Sequence, residues 1–173
     1  MLLGASGIAL LLASGATALL QDNLVSFNKT TESVIPIHNA AIAYAADDPI
    51  GVHIAAESLV DDFQSITGTR PLALTVDGTK WNSSEESSLD TVVLIATADS
   101  KIVQDLVSRD LFDVAEIKGK WEVYKTAVIS GAPLPGVNSL LLIAGSDKRG
   151  AIFGAYTLAE QCGQSPYAHR LSQ

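Results

Sequence analysis

Cysteine and cationic side chains are both scarce in this 173-residue chain. The single thiol, Cys162, cannot close an internal disulfide or contribute to a cysteine-rich zinc site, so an apolar core has to provide the stability. Only 11 Lys and Arg face 19 Asp and Glu, giving a net charge of −8 and a pI near 4.7. Nucleic acid is thereby excluded as an expected partner, because phosphate backbones demand clustered cations that displace counterions. Internal repeats, long linkers and a G-x-S-x-G nucleophile elbow are also missing, which removes solenoids and the serine-hydrolase elbow from consideration. With 17% charged and 47% hydrophobic residues, composition is that of one globular domain rather than a disordered chain.

The first twenty residues carry no charged side chain. The run Ile8–Leu12 and the small residues Ala16 and Ala18 read as a secretory signal peptide over residues 1–18, cleaved after Ala18, the rival reading being a retained membrane anchor. Two sequons agree with a secreted, extracellular product, with Asn28 and Asn82 as the glycan acceptors.

Beyond the leader, short apolar runs at Val34–His38 and Ala41–Ala46 are expected strands. Asp48 and Pro49 then supply an N-cap and a first-turn proline for a helix. Its apolar positions are Val52, Ala56, Leu59, Val60, Phe63 and Ile66, and Gly68 ends it. Strands are expected at Leu72–Thr75, Thr91–Thr97, Trp121–Ile129 and Leu140–Ala144, with loops at Asp77–Asp90 and Ser130–Asn138. A second helix begins at Asp99 or Ser100 and a third at Ser146 or Asp147, with Ile152, Tyr156, Ala159 and Cys162 along one face. Strands alternating with amphipathic helices predict a single α/β domain, a mixed sheet with helices packed on it, over about residues 24–166.

Little in this pattern carries chemistry. Gly145 and Gly150 have P-loop spacing, but Ala151 and Ile152 stand where Lys and Ser/Thr must hold phosphate and magnesium, so no nucleotide is expected. Lys148 and Arg149 open a helix and are the substrate-binding candidates, since cations at a helix N-terminus can hold a carboxylate. His53, Glu57 and Asp61 share one helix face, yet a zinc site wants four convergent ligands, and no metal or other cofactor is expected. Adjacent acids (Asp47-Asp48, Asp61-Asp62, Glu85-Glu86) cannot flank a glycosidic bond the way a catalytic pair does. No catalytic residue is therefore assigned. Cys162 reads as a buried, inert thiol, and Trp121, at an expected strand start, as core.

Three segments resemble the N-terminal domain of the family 115 glycoside hydrolases, the xylan α-1,2-glucuronidases. They are HIAAESLVDDFQSITGTRP from His53 to Pro71, IKGKWE from Ile117 to Glu122, and PLPGVNSLLLIAGSDKRGAIFGAYTLAEQCGQSP from Pro133 to Pro166. Ala151 and Phe153 stand where that family has Thr and Tyr. The resemblance implies an α/β accessory domain like the one preceding the barrel in hexosaminidase-type enzymes. It further implies removal of (4-O-methyl)glucuronic acid from xylan by carboxylates of a following catalytic barrel. This chain instead reads Tyr167 to Gln173 and stops, a divergent tail with the barrel partner absent. The expectation is a truncated, non-catalytic domain, the alternatives being a stand-alone binder of acidic polysaccharide such as glucuronoxylan, or a non-functional gene fragment.

Overall fold

The structure is a computed structural model, and residues 36–37, 39–81 and 89–163 are described. The sequons at Asn28 and Asn82, residues 1–18 and residues 167–173 lie outside them. Among the described residues, six strands and three helices form one mixed α/β domain. In chain order they are β1 (Ala41–Ala45), α1 (Ile50–Thr67), β2 (Ala73–Asp77), β3 (Lys80–Trp81), β4 (Leu89–Thr97), α2 (Lys101–Ser108), β5 (Tyr124–Leu134), β6 (Val137–Gly145) and α3 (Lys148–Gln161).

One sheet holds all six strands in the order β3-β2-β1-β4-β6-β5. The four central strands run parallel, and β3 and β5 close the two edges antiparallel. The continuous apolar runs of β4 and β6 follow from this position, because a strand covered on both faces has no side that can be polar. Val92, Leu94, Leu140 and Leu142 point to the face packed by Ile102, Val103 and Leu106 of α2. Val93, Ile95, Leu141 and Ile143 point the other way, against Leu59 and Phe63 of α1 and Ala155 and Leu158 of α3. Burying each such side chain is worth about 1.5–3 kcal/mol, so these two layers supply most of the driving force.

The helix boundaries carry one correction. α1 ends at Gly68, in the left-handed conformation at φ 76°, as the sequence predicts. At its start, however, Asp48 is not a cap: α1 has no side-chain cap, and the Asp48 carboxylate turns instead toward Thr97. Ser100 and Asp147 do cap α2 and α3.

The strands depart further from expectation. The expected loop at Ser130–Asn138 is largely a β-hairpin, with β5 running to Leu134 and β6 starting at Val137 around Pro135 and Gly136. Pro133 is tolerated because β5 is an edge strand, which has no outer neighbour to receive an N–H. Pro36 and Ile37, expected within a strand, lie outside any strand. Trp121 precedes β5 and is 85% exposed, so it is not core. Trp81 is the packed tryptophan: it sits against the α2-side core and its Nε1 donates to Pro135 O at 3.0 Å.

Candidate functional site

In open α/β sheets, ligands bind beyond the carboxyl ends of the parallel strands, where neighbouring strands send their connections to opposite faces. Here β1 leads to α1 on one face while its neighbour β4 leads to α2 on the other. The crevice between them is filled by the protein itself. Asp48, 6% exposed, accepts the Thr97 N–H at 2.9 Å, and its second oxygen takes the Thr97 hydroxyl. Burial pushes its carboxyl above the ordinary value, outweighing the two Thr97 hydrogen bonds and the His53 charge that oppose the shift; the neighbouring Asp47 charge adds to it.

The helix N-termini at this end are occupied in the same way. Asp47 accepts the Lys101 N–H at 3.0 Å, at the first residue of α2. The Lys101 ammonium reaches Asp77 at 3.0 Å, and that bond raises it above the usual lysine range. Asp147 accepts from Arg149 N, Gly150 N and Glu122 N at 2.9, 2.8 and 3.0 Å. These backbone bonds, Gly150 first, hold its carboxyl below the ordinary range. Each helix-end charge that could attract an external anion at α2 and α3 already faces one of the chain's own carboxylates.

Lys148 and Arg149 both lie exposed on the first turn of α3. Arg149 pairs with Glu122 at 2.9 Å, and its guanidinium lies 5.9 Å from the Phe153 ring centre. Sequence reasoning could not see this pair, since the loop carrying Glu122 is brought to α3 only by the β5–β6 pairing. His53, Glu57 and Asp61 do not converge. His53 Nε2 bonds Ala45 O at 3.0 Å with its ring stacked on Tyr44, and Asp61 pairs with Arg70. Among the described residues no three His, Cys, Asp or Glu side chains are grouped to hold a metal.

A groove of about 350 Å³ opens at the opposite end of the sheet, between Pro36, Asn39, Ala41, Leu72, Leu89, Asp90 and Thr91. Its one carboxylate, Asp90, accepts a hydrogen bond from Asn138. One carboxylate without a facing partner does not make a glycosidase centre. Cys162 is half-buried, and burial pushes its thiol to about 11. At pH 7.5 an alkylating reagent is accordingly expected to label the folded chain far more slowly than a free thiol, and labelling at the free-thiol rate would contradict this burial.

No family model matches the chain, and no curated protein matches it. Among solved structures, 75% of this chain superposes on 14% of a family GH115 4-O-methyl-α-glucuronidase with specificity for decorated arabinogalactans, at a TM-score of 0.52 and 19% identity. The fold is like that of a glycoside-hydrolase segment. At that identity the likeness concerns the architecture of the mixed sheet and its helices, and it spans a minor part of the enzyme's length.

Proposed function

We propose that this chain is the N-terminal accessory domain of a secreted family 115 glycoside hydrolase, spanning about residues 24–166 behind a signal peptide, with no catalytic residue of its own. The fold likeness to a 4-O-methyl-α-glucuronidase over 75% of the chain carries this reading. The three sequence segments that resemble the same family support it, and they imply a glucuronoxylan substrate for the whole enzyme. At the strand ends Asp47, Asp48 and Asp147 are engaged in capping and clamping the chain's own backbone.

The surface also suits a domain that packs on further polypeptide. Ile50 and Ile54 of α1 are 71% and 59% exposed, and Phe153 and Tyr156 of α3 are 40% and 49% exposed. Ile152 lies beside Gly51, so the two helices present these side chains on adjoining turns. An apolar surface of this kind on a net-acidic domain is a docking face for a catalytic barrel or a source of aggregation.

The test is release of 4-O-methylglucuronic acid from glucuronoxylan by the purified chain, followed by anion-exchange chromatography. No release above the buffer blank is expected even after prolonged incubation. Sustained, enzyme-dependent release would overturn the non-catalytic assignment.

A further inference from the structure

The exposed residues of α1 and α3 form two stripes with one spacing. On α3, Arg149, Phe153, Tyr156 and Glu160 follow one another at intervals of four, three and four, which puts them on one helix face. All four are exposed, while Ala151, Ala155 and Leu158 on the opposite side are buried against the sheet. Ile50, Ile54, Glu57 and Asp61 repeat the same intervals on α1, and they are exposed too. The α3 stripe thus reads cation, aromatic, aromatic, anion.

That order is self-complementary. Arg149 and Glu160 lie equally far from the midpoint between Gly154 and Ala155, and so do Phe153 and Tyr156. A second α3 laid antiparallel about a two-fold axis through this midpoint sets Arg149 of each copy against Glu160 of the other. The same operation sets Phe153 against Tyr156, and the symmetry makes every match twice. Arg149 is open to such a contact although it pairs with Glu122. Its side chain stays 60% in solvent, and a guanidinium has five N–H donors to share.

We propose that this face closes a homodimer of the chain through antiparallel packing of α3 on α3, with Ile50 and Ile54 of α1 widening the apolar area. Two features favour a second copy over another occupant. The first is charge complementarity: a different partner would have to carry the reverse order of the α3 stripe, whereas a copy turned about the two-fold axis has it by construction. The second is composition. Aromatic side chains stand at the centre and charges at the two ends, as in protein interfaces with an apolar core and a polar rim. Intervals of four, three and four are also the seam by which two helices interlock at a shallow angle. A two-fold contact uses each face once, so association stops at two copies and does not grow into an aggregate. The proposal goes beyond the accessory-domain reading and does not rest on it, since this chain's own surface supplies both halves of the contact.

Sedimentation equilibrium of the purified chain, from about 1 to about 500 μM, tests it. The mass is expected to rise with concentration from that of one copy and to level off at that of two. Glu160→Arg sets like charges against each other at both ends of the seam, and so does Arg149→Glu. Each is expected to weaken the dimer about tenfold or more. An equimolar mixture of these two variants brings opposite charges together again at both ends, and it is expected to associate within about threefold of wild type. Phe153→Ala removes a central contact and is expected to weaken the dimer about tenfold. All three side chains are exposed, so melting close to that of wild type shows that the variants fold. A monomer at every concentration overturns the proposal, as does a dimer indifferent to both charge reversals. A mixture that stays monomeric, or association that continues past two copies, overturns it equally. The glucuronic acid release assay bears only on the proposed function.

Discussion

Gly150→Ala is expected to cost about 3 kcal/mol or more of folding stability, lowering the melting temperature by about 6–12 °C for a domain of this size. A β-carbon at residue 150 would stand 2.1 Å from the Val123 carbonyl oxygen and 2.9 Å from its carbonyl carbon. Both are backbone atoms, and Val123 cannot withdraw without breaking its bonds to Ser146. Gly145 is equally confined: its β-carbon would meet Ala151 N at 2.0 Å and Asp147 O at 2.6 Å. The glycines at P-loop spacing therefore serve close packing, and the space a phosphate would need is taken by the first turn of α3. Gly51→Ala is the control. It sits inside α1, where alanine favours the helix, and its nearest contact is the movable Ile152 Cδ1 at 3.3 Å, so a change within about 1 kcal/mol is expected. Calorimetry of the two variants decides: a Gly150→Ala protein melting as late as Gly51→Ala would remove the packing explanation.

Some of the molecule is legible in its sequence and some is not. α1, β4, β6 and the cap of α3 follow from patterns internal to each segment, such as the apolar positions Val52, Ala56, Leu59 and Phe63 or the unbroken run Thr91–Thr97. β3 is two residues long and is defined by pairing with β2, so no local period could announce it. The β5–β6 hairpin is hidden by Pro133, Pro135 and Gly136, whose composition signals a loop until an edge position makes proline harmless. At the candidate site the residue types were visible and the partners were not. Lys148 and Arg149 stand out at a helix start, but Glu122 reaches Arg149 only through the tertiary fold. Trp121, expected as core, lies exposed, while Trp81, inside the expected loop Asp77–Asp90, packs against the core, because burial depends on which residue lands at the sheet edge and which on the connecting segment.

Asp48 is where local reading and tertiary structure disagree most, and its two simplest variants are expected to behave in opposite ways. Asp48→Ala leaves the Thr97 N–H and hydroxyl buried without their acceptor, which costs about 2–4 kcal/mol. Asp48→Asn keeps an acceptor for the Thr97 N–H and removes a charge that burial disfavours. The sign follows from the raised folded-state pKa. A group that binds its proton more tightly folded than unfolded contributes stability below its unfolded pKa, and loses it as pH rises through the folded one. At neutral pH, ionising Asp48 therefore costs more in the folded chain than in the unfolded one. The stability difference between Asp48→Asn and wild type is expected to favour Asn more at pH 7 than at about pH 4, near the ordinary carboxylate value. Taking the difference between the two proteins cancels Asp147, whose lowered pKa drives stability the other way with acid in both. Urea melts of wild type and the two variants across this range give the answer. An Asp48→Asn protein as unstable at pH 7 as Asp48→Ala would mean that the charge itself holds β1 to β4. A carboxyl with a raised pKa at a strand end often signals a general acid. Here both of its oxygens are engaged by Thr97 and only 6% of the residue meets solvent, so the same shift belongs to a clamp that closes the crevice where related folds admit a ligand.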